Sequence, residues 1–405
     1  MNNLLVKRKT KSVKSVDSGK LSFLESTRGL AACIVVFTHI IVTYFPNPKG
    51  VQFGVPGGNE VVSRLFYGLP LGFMTSGNFA VILFFILSGF VLTYKFFQSK
   101  DINNLTRQAA KRYFRLAIPI FFIVMIAYVM ISSGLMTKLS EIIQLKNLPG
   151  TTRMVFNFTP SLSDAFHNAI LGVLAEKNAV YNPVLWTMPV EFFGSFIVLG
   201  LAAFFSGLRK KWPAYLIAIV MLSRSYYVCF VLGMLLADLF SNPKLVDIIR
   251  NKISKFYIYS SLLIVWVLAS FPHPTEYISG TIYESLLIPG QDSLYIFNLW
   301  QYLASFILLA IILIRPEIQK ILNAKVLVFI GGLSFSIYLT HYLILHSLGD
   351  WLYVEMSTRY GFDTSALIAG SVTVVITLLV SMLWKKYIDD MSINVSRKFA
   401  SIILK

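Results

Sequence analysis

The chain has little charge. Asp, Glu, Lys and Arg make up 14% of its 405 residues, against about 25% in a soluble domain, and that shortfall excludes an ordinary water-soluble fold. It has two cysteines, Cys33 and Cys229. Both lie inside apolar runs, so they imply neither a disulfide framework nor a thiolate metal site. There is no HExxH pair and no cysteine ligand pair, so no metal is expected. Internal repeats and inverted pairs of interrupted helices are missing too, which weakens a secondary-transporter reading. The N-terminus lacks the layout of a cleavable signal peptide. No stretch between apolar runs is long enough for an independent soluble enzyme, so any chemistry is expected inside the bilayer.

Apolar runs are abundant. They cover residues 29–45, 79–97, 117–133, 184–206, 225–240, 256–271, 295–314, 326–348 and 366–384, with a shorter tenth at 213–223. In lipid every backbone polar group must be satisfied within its own segment, so these runs read as helices. The net charge of +17 would suit a nucleic-acid binder, but the basic residues flank apolar runs and form no single patch. The positive-inside rule accounts for them, and no nucleic-acid partner is expected. If all ten runs cross, starting from a cytoplasmic N-terminus, 28 of the 36 Lys and Arg fall on the inside and 8 outside. Without a crossing at 213–223 the 272–294 loop, which has no Lys or Arg, would become cytoplasmic. The expected fold is therefore all-α, a polytopic membrane protein of about ten transmembrane helices with both termini cytoplasmic and the lipid bilayer as its partner. Residues 1–20 form a basic cytoplasmic arm, 21–390 the membrane domain and 391–405 a cytoplasmic tail. Residues 46–78 and 134–182 read as outer loops.

Several apolar runs carry ionisable residues. A charge in hydrocarbon costs several kcal/mol unless it faces a polar cavity, so His39, Glu191 and His341 are functional candidates. At about 1.5 Å of rise per residue, each lies roughly 10 Å from the outer end of its run. Arg28, Arg112 and Arg115 form a basic layer at the opposite end. Eleven residues separate Arg28 from His39, about 1100° of helical rotation, which places both on one face some 16 Å apart. Arginine forks grip phosphate, and a neutral imidazole can take a hydroxyl proton. The layout suits a phosphate-bearing donor held from the cytosol and a base working near the outside. A proton-coupled carrier or flippase using His39, Glu191 and His341 as a relay is the alternative. His346 reads as solvated near the outer interface and Asp238 as structural.

Six sequence motifs carry a resemblance. They are Arg28-Gly29-Leu30-Ala31 through Val35 to His39, Phe84-Phe85-Ile86-Leu87-Ser88-Gly89-Phe90, Arg112-Tyr113-Phe114-Arg115 with Pro119, Leu185-Trp186-Thr187-Met188-Pro189-Val190-Glu191-Phe192, Phe230-Val231-Leu232-Gly233-Met234, and Ser334-Phe335-Ser336-Ile337-Tyr338-Leu339-Thr340-His341. In this order they resemble the acyltransferase-3 family of integral-membrane acyltransferases, over roughly residues 20–390. Thr187 and Phe335 depart from the commoner Ser and Tyr. Asp389 stands near where many members have Glu, and the proline that follows in them is missing. The resemblance implies an acyl-CoA donor, most often acetyl-CoA, and a hydroxyl acceptor on a carbohydrate or glycoconjugate. It also implies that His39 is the central catalytic residue. On this reading Glu191 orients His39 or balances its charge. Arg28, Arg112 and Arg115 hold the donor phosphates, Ser88 lines the path of the pantetheine arm, and Trp186, Tyr338 and His341 meet the acceptor. Phe53, Phe66, Tyr67, Tyr181, Tyr277 and Tyr283 are further aromatics that suit either stacking on sugar rings or a place at the membrane interface. The expected location is the bacterial cytoplasmic membrane.

Overall fold

A computed structural model describes residues 21–45, 60–136, 156, 158–274 and 278–404 of the chain; the basic arm 1–20, Phe53 and Tyr277 lie outside them. The described residues form helices and no strand. We label the principal helices α1 (Ser22–Tyr44), α2 (Gly77–Ser99), α3 (Asn103–Ser132), α4 (Thr187–Ser206), α5 (Trp212–Leu222), α6 (Tyr227–Phe240), α7 (Pro243–Lys252), α8 (Lys255–Ala269), α9 (Ser293–Ile314), α10 (Lys325–Ile344), α11 (Phe362–Trp384) and α12 (Asp390–Ile403).

Each of the ten apolar runs forms a helix. Seven helices among the described residues are long and apolar enough to cross a membrane, and α6 with α7, bent by 93°, would make an eighth. The 11-residue α5 and 15-residue α8 are shorter apolar helices, since about 20 residues are needed to traverse the hydrocarbon. Several large apolar side chains on α5 and α8 face outward, among them Met221 and Phe256, as expected of a surface bathed in lipid. This is a multi-pass membrane protein.

The segments read as loops contain helices of their own: Glu60–Phe66, the 3₁₀ turn Gly72–Thr75, and Leu162–His167, which runs through a π-helical turn, Asn168–Gly172, to Ala175. The tail after residue 390 is also helical, as α12, and packs along α3. In α3 the helix begins well before its apolar run, so Arg112 and Arg115 stand within it and not at its entry.

Two seams set the geometry. The first joins α1 to α10. A Cβ added at Gly29 would stand 2.6 Å from the backbone nitrogen of Gly331, so only glycine at both positions lets the backbones meet. His39 and His341 each lie ten residues further along their helices, so the two helices run parallel and in step. The second seam joins α2 to α6, where a Cβ on Gly89 or Gly233 would overlap the backbone of the opposite helix. These seams place α2 and α10 on opposite sides of an internal space, which α4 and α3 close from the side.

Candidate active site

The first part of the site is a chamber of about 160 Å³ lined by Arg28, Arg112, Arg115, Glu191, Ser334 and Tyr338, together with apolar residues of α2. Glu191 lies one turn into α4, just after the elbow formed by Pro183–Trp186. It accepts hydrogen bonds from Arg112 and from Ser88, and Arg112 Nη2 also reaches the Glu191 carbonyl at 3.4 Å. The side chains of Arg112 and Glu191 are only 13% and 15% exposed, so each charge depends on the other for compensation. Arg115 pairs with Asp389 in a π-helical turn after α11, donates to Ser392 at 2.9 Å, and lies over the Phe335 ring, 5.1 Å from its centroid. Arg28 takes part in neither pair, and its Nε is buried without a hydrogen-bond partner. Two of the three guanidinium groups are thus paired with carboxylates, Arg112 with Glu191 and Arg115 with Asp389.

The second part is a histidine pair. His39 Nδ1 and His341 Nε2 are 3.0 Å apart, and His341 Nδ1 is 3.0 Å from the carbonyl oxygen of Ile337, four residues earlier on α10. A carbonyl only accepts, so Nδ1 of His341 carries the hydrogen. In neutral His341, Nε2 is then an acceptor, and His39 must donate to it from its own Nδ1. That leaves Nε2 of His39 unprotonated, with a lone pair available for a hydroxyl proton. The Tyr342 ring stands nearly perpendicular to His39, centroids 5.2 Å apart, and restricts its rotation. His341 is 1% exposed, so its partners are fixed by packing.

The imidazole of His39 opens on a cavity of about 620 Å³. Its wall includes Thr38, Phe66, Tyr67, Ser76, Asn78, Trp186, Ser270, His273, Phe297, Tyr338 and Tyr342. Among the described residues this lining has aromatic rings, hydroxyls and an amide but no carboxylate, lysine or arginine. His273 lies in the segment after α8, and burial holds its pKa below the ordinary histidine value, which favours the neutral imidazole. Trp186, 40% exposed, rests against Tyr226, centroids 5.3 Å apart. Tyr226 in turn donates to Asn78 at 2.7 Å, and the Asn78 amide donates to Asn298 at 3.0 Å and Gln301 at 2.7 Å. The Trp186 platform is thus anchored by a satisfied polar network from α2, α6 and α9.

The structure brings the site residues together in a different grouping from the sequence reading. Glu191 sits among the arginines with Ser88, while the ring partner of His39 is His341. Depth along the chain put Glu191 and His39 in one layer, but long arginine stems reach from one layer to the next. Ser88 bonds Glu191, so its hydroxyl is engaged with that carboxylate. His346 is 3% exposed and not solvated. It stands in a π-helical turn, 3.2 Å from Asp350, whose other oxygen accepts from Tyr44 at 3.3 Å. Asp238 accepts from Lys211 at 2.7 and 2.9 Å. Phe66 and Tyr67 line the large cavity, whereas Tyr181 and Tyr283 are buried elsewhere. Sequence reasoning did not assign Asn78 or Asp389 to the site. Asn78 sits at the start of an apolar run, where an amide gives little signal.

Residues 21–384 match the family described as acyltransferase domain, the acyltransferase-3 family. The chain is also similar to the O-acetyltransferase PaAT-1 of Phomopsis amygdali, with 22% identity over 431 residues, covering 93% of this chain and 84% of that protein. No solved structure matches it. With nine-tenths of its length inside that match, and arginines and a histidine pair converging within its membrane helices, the chain belongs to the acyltransferase-3 family and is an acyltransferase.

Proposed function

We propose that this protein transfers an acyl group, acetyl by preference, from cytosolic acyl-CoA to a hydroxyl of a carbohydrate-type acceptor, with His39 as the general base. One observation carries the reading: the arginine chamber and the histidine cavity adjoin, so a donor gripped at one end of α1 can be consumed at the other. The excess of basic residues in the segments flanking the Arg28 end argues that this end faces the cytosol, where the donor is made. The buried, unpartnered Nε of Arg28 supports an anionic ligand there. The chamber, at about 160 Å³, is smaller than the ~300–1,000 Å³ of a drug-sized site. It suits the thioester end of the donor, with the nucleotide left at the mouth.

In this scheme His39 Nε2 takes the acceptor hydroxyl proton as the oxygen attacks the thioester carbonyl. The new C–O ester bond forms, the C–S bond breaks, and the proton returns from His39 to the departing thiolate. The neutral, aromatic and hydroxyl-rich cavity around His39 supports an uncharged polyhydroxylated acceptor, with Trp186 and Tyr67 as faces for a sugar ring. Glu191 holds Arg112 in place, and its effect on His39 is indirect. The relative from Phomopsis amygdali is an O-acetyltransferase, which supports oxygen as the accepting atom.

The test is acyl transfer by the purified protein in vesicles, with labelled acetyl-CoA and a panel of neutral glycosides. His39→Ala, correctly inserted, should be inactive; transfer at the wild-type rate refutes the scheme.

A further inference from the structure

The arginine chamber and the histidine cavity have two lining residues in common, Val81 on α2 and Tyr338 on α10. Both side chains are buried, and both sit where one space gives way to the other. We infer that Val81 and Tyr338 form the neck through which the acyl end of the donor reaches His39, and that this neck selects acyl groups by width. The inference rests on the proposed donor and adds a specificity filter to it.

The neck is built from stiff parts. The Tyr338 hydroxyl donates to the Val184 carbonyl at 2.7 Å and lies 2.9 Å from the Thr187 hydroxyl, which fastens the ring to the elbow before α4. Asn182 ties the same elbow to α10 through the Leu339 carbonyl at 2.9 Å. The Phe84 ring meets Tyr338 edge-on, centroids 6.1 Å apart. Across from it, Val81 is β-branched and restricted at χ1 on a helix, and its neighbours Ala80 and Ile82 are fully buried. The α2–α6 seam at Gly89 and Gly233 leaves the α2 wall no slack. An aperture between a fastened ring and a stiff isopropyl group tests the cross-section of what passes, not its length. The His341 ring lies 6.0 Å from that of Tyr338, so a group that clears the neck arrives beside the histidine pair.

Butyryl-CoA and isobutyryl-CoA discriminate on width, because their acyl groups are isomers that differ in branching next to the carbonyl. The wild-type protein is expected to use butyryl-CoA in strong preference to isobutyryl-CoA. Val81→Ala should raise the isobutyryl-to-butyryl rate ratio about tenfold, the scale of one methylene-sized discrimination in a tight pocket. An unchanged ratio overturns the inference. A second arm avoids dependence on folding of a bulky variant. Val81→Cys is prepared with Cys33→Ser, Cys229 being buried, and is modified after folding with benzyl methanethiosulfonate. Acetyl transfer by the unmodified variant is the reference. After modification it should fall at least tenfold while CoA binding stays within twofold, and acetyl-CoA should slow the modification. Undiminished transfer by the modified protein, or a thiol the reagent never reaches, overturns the neck. If wild-type protein transfers nothing from any acyl-CoA, the proposed function fails; protection of the introduced thiol by CoA then decides the neck alone.

Discussion

His341 offers the sharpest test of the proposal that His39 is the base. The hydrogen-bond chain from the Ile337 carbonyl through His341 to His39, each link 3.0 Å, leaves the His39 lone pair on Nε2. Replacing His341 removes the acceptor that holds His39 in this tautomer. Asparagine and glutamine divide the imidazole between them: the Asn amide falls near Nδ1, and the Gln amide near Nε2. His341→Asn keeps a donor for Ile337 but removes the ring acceptor opposite His39 Nδ1. His341→Gln keeps an oxygen opposite His39. General-base catalysis contributes about 10²–10⁴-fold, and a misassigned tautomer in a histidine-centred site costs up to about 10⁴ in kcat. We therefore expect His341→Asn and His341→Ala to lower kcat by about 10²–10⁴, or roughly 2.7–5.4 kcal/mol of barrier, with donor KM little changed. His341→Gln should stay within about tenfold of wild type, on the scale of one altered neutral hydrogen bond. The assay is steady-state transfer of labelled acetyl groups, normalised to folded protein by size exclusion. A purely structural role for His341 would make Asn and Gln equally damaging. That result, or full kcat in the alanine variant, would refute the argument.

Other perturbations probe the remaining parts. Glu191→Ala strips a buried guanidinium of its counter-charge and should destabilise the protein by about 3–5 kcal/mol, read as a lower thermal midpoint in detergent. Glu191→Gln, which still accepts from Ser88, should lose less, and equal losses would argue against the ion pair. Arg28→Ala should raise the donor KM far more than the acceptor KM; equal changes would mean that Arg28 only anchors the helix end. Gly331→Ala forces α10 away from α1 and should abolish transfer even where folded protein is recovered, measured beside a His39→Ala control. Activity near wild type would show that the seam tolerates a methyl group.

Much of this was legible in the sequence because membrane helices announce themselves by apolar length and ionisable residues within them by their expense in lipid. His39, Glu191 and the arginines stood out for that reason, and each of the ten apolar runs is helical among the described residues. Partnering was not legible. Depth counted along a helix is coarse, and an arginine stem spans about the same distance as the error, so Arg112 meets Glu191 from a neighbouring layer. The exposure of His346 was misjudged because a π-helical turn redirects the chain where periodicity assumes a regular helix. The helices at Glu60–Phe66 and Leu162–His167 were missed because short helices within polar segments have too few residues to show a period.

The step-for-step pairing of α1 with α10 also divides the labour within this enzyme. In the proposed scheme the proton-handling nitrogens belong to two helices that cannot slide past each other, whereas the rest of the cavity wall is contributed by other pieces of chain: Phe66 and Tyr67, Ser270 and His273, Phe297. A redesigned wall can therefore change which molecule is esterified while the chemistry stays in register. Efforts to retarget the protein belong on those pieces, with α1 and α10 left untouched.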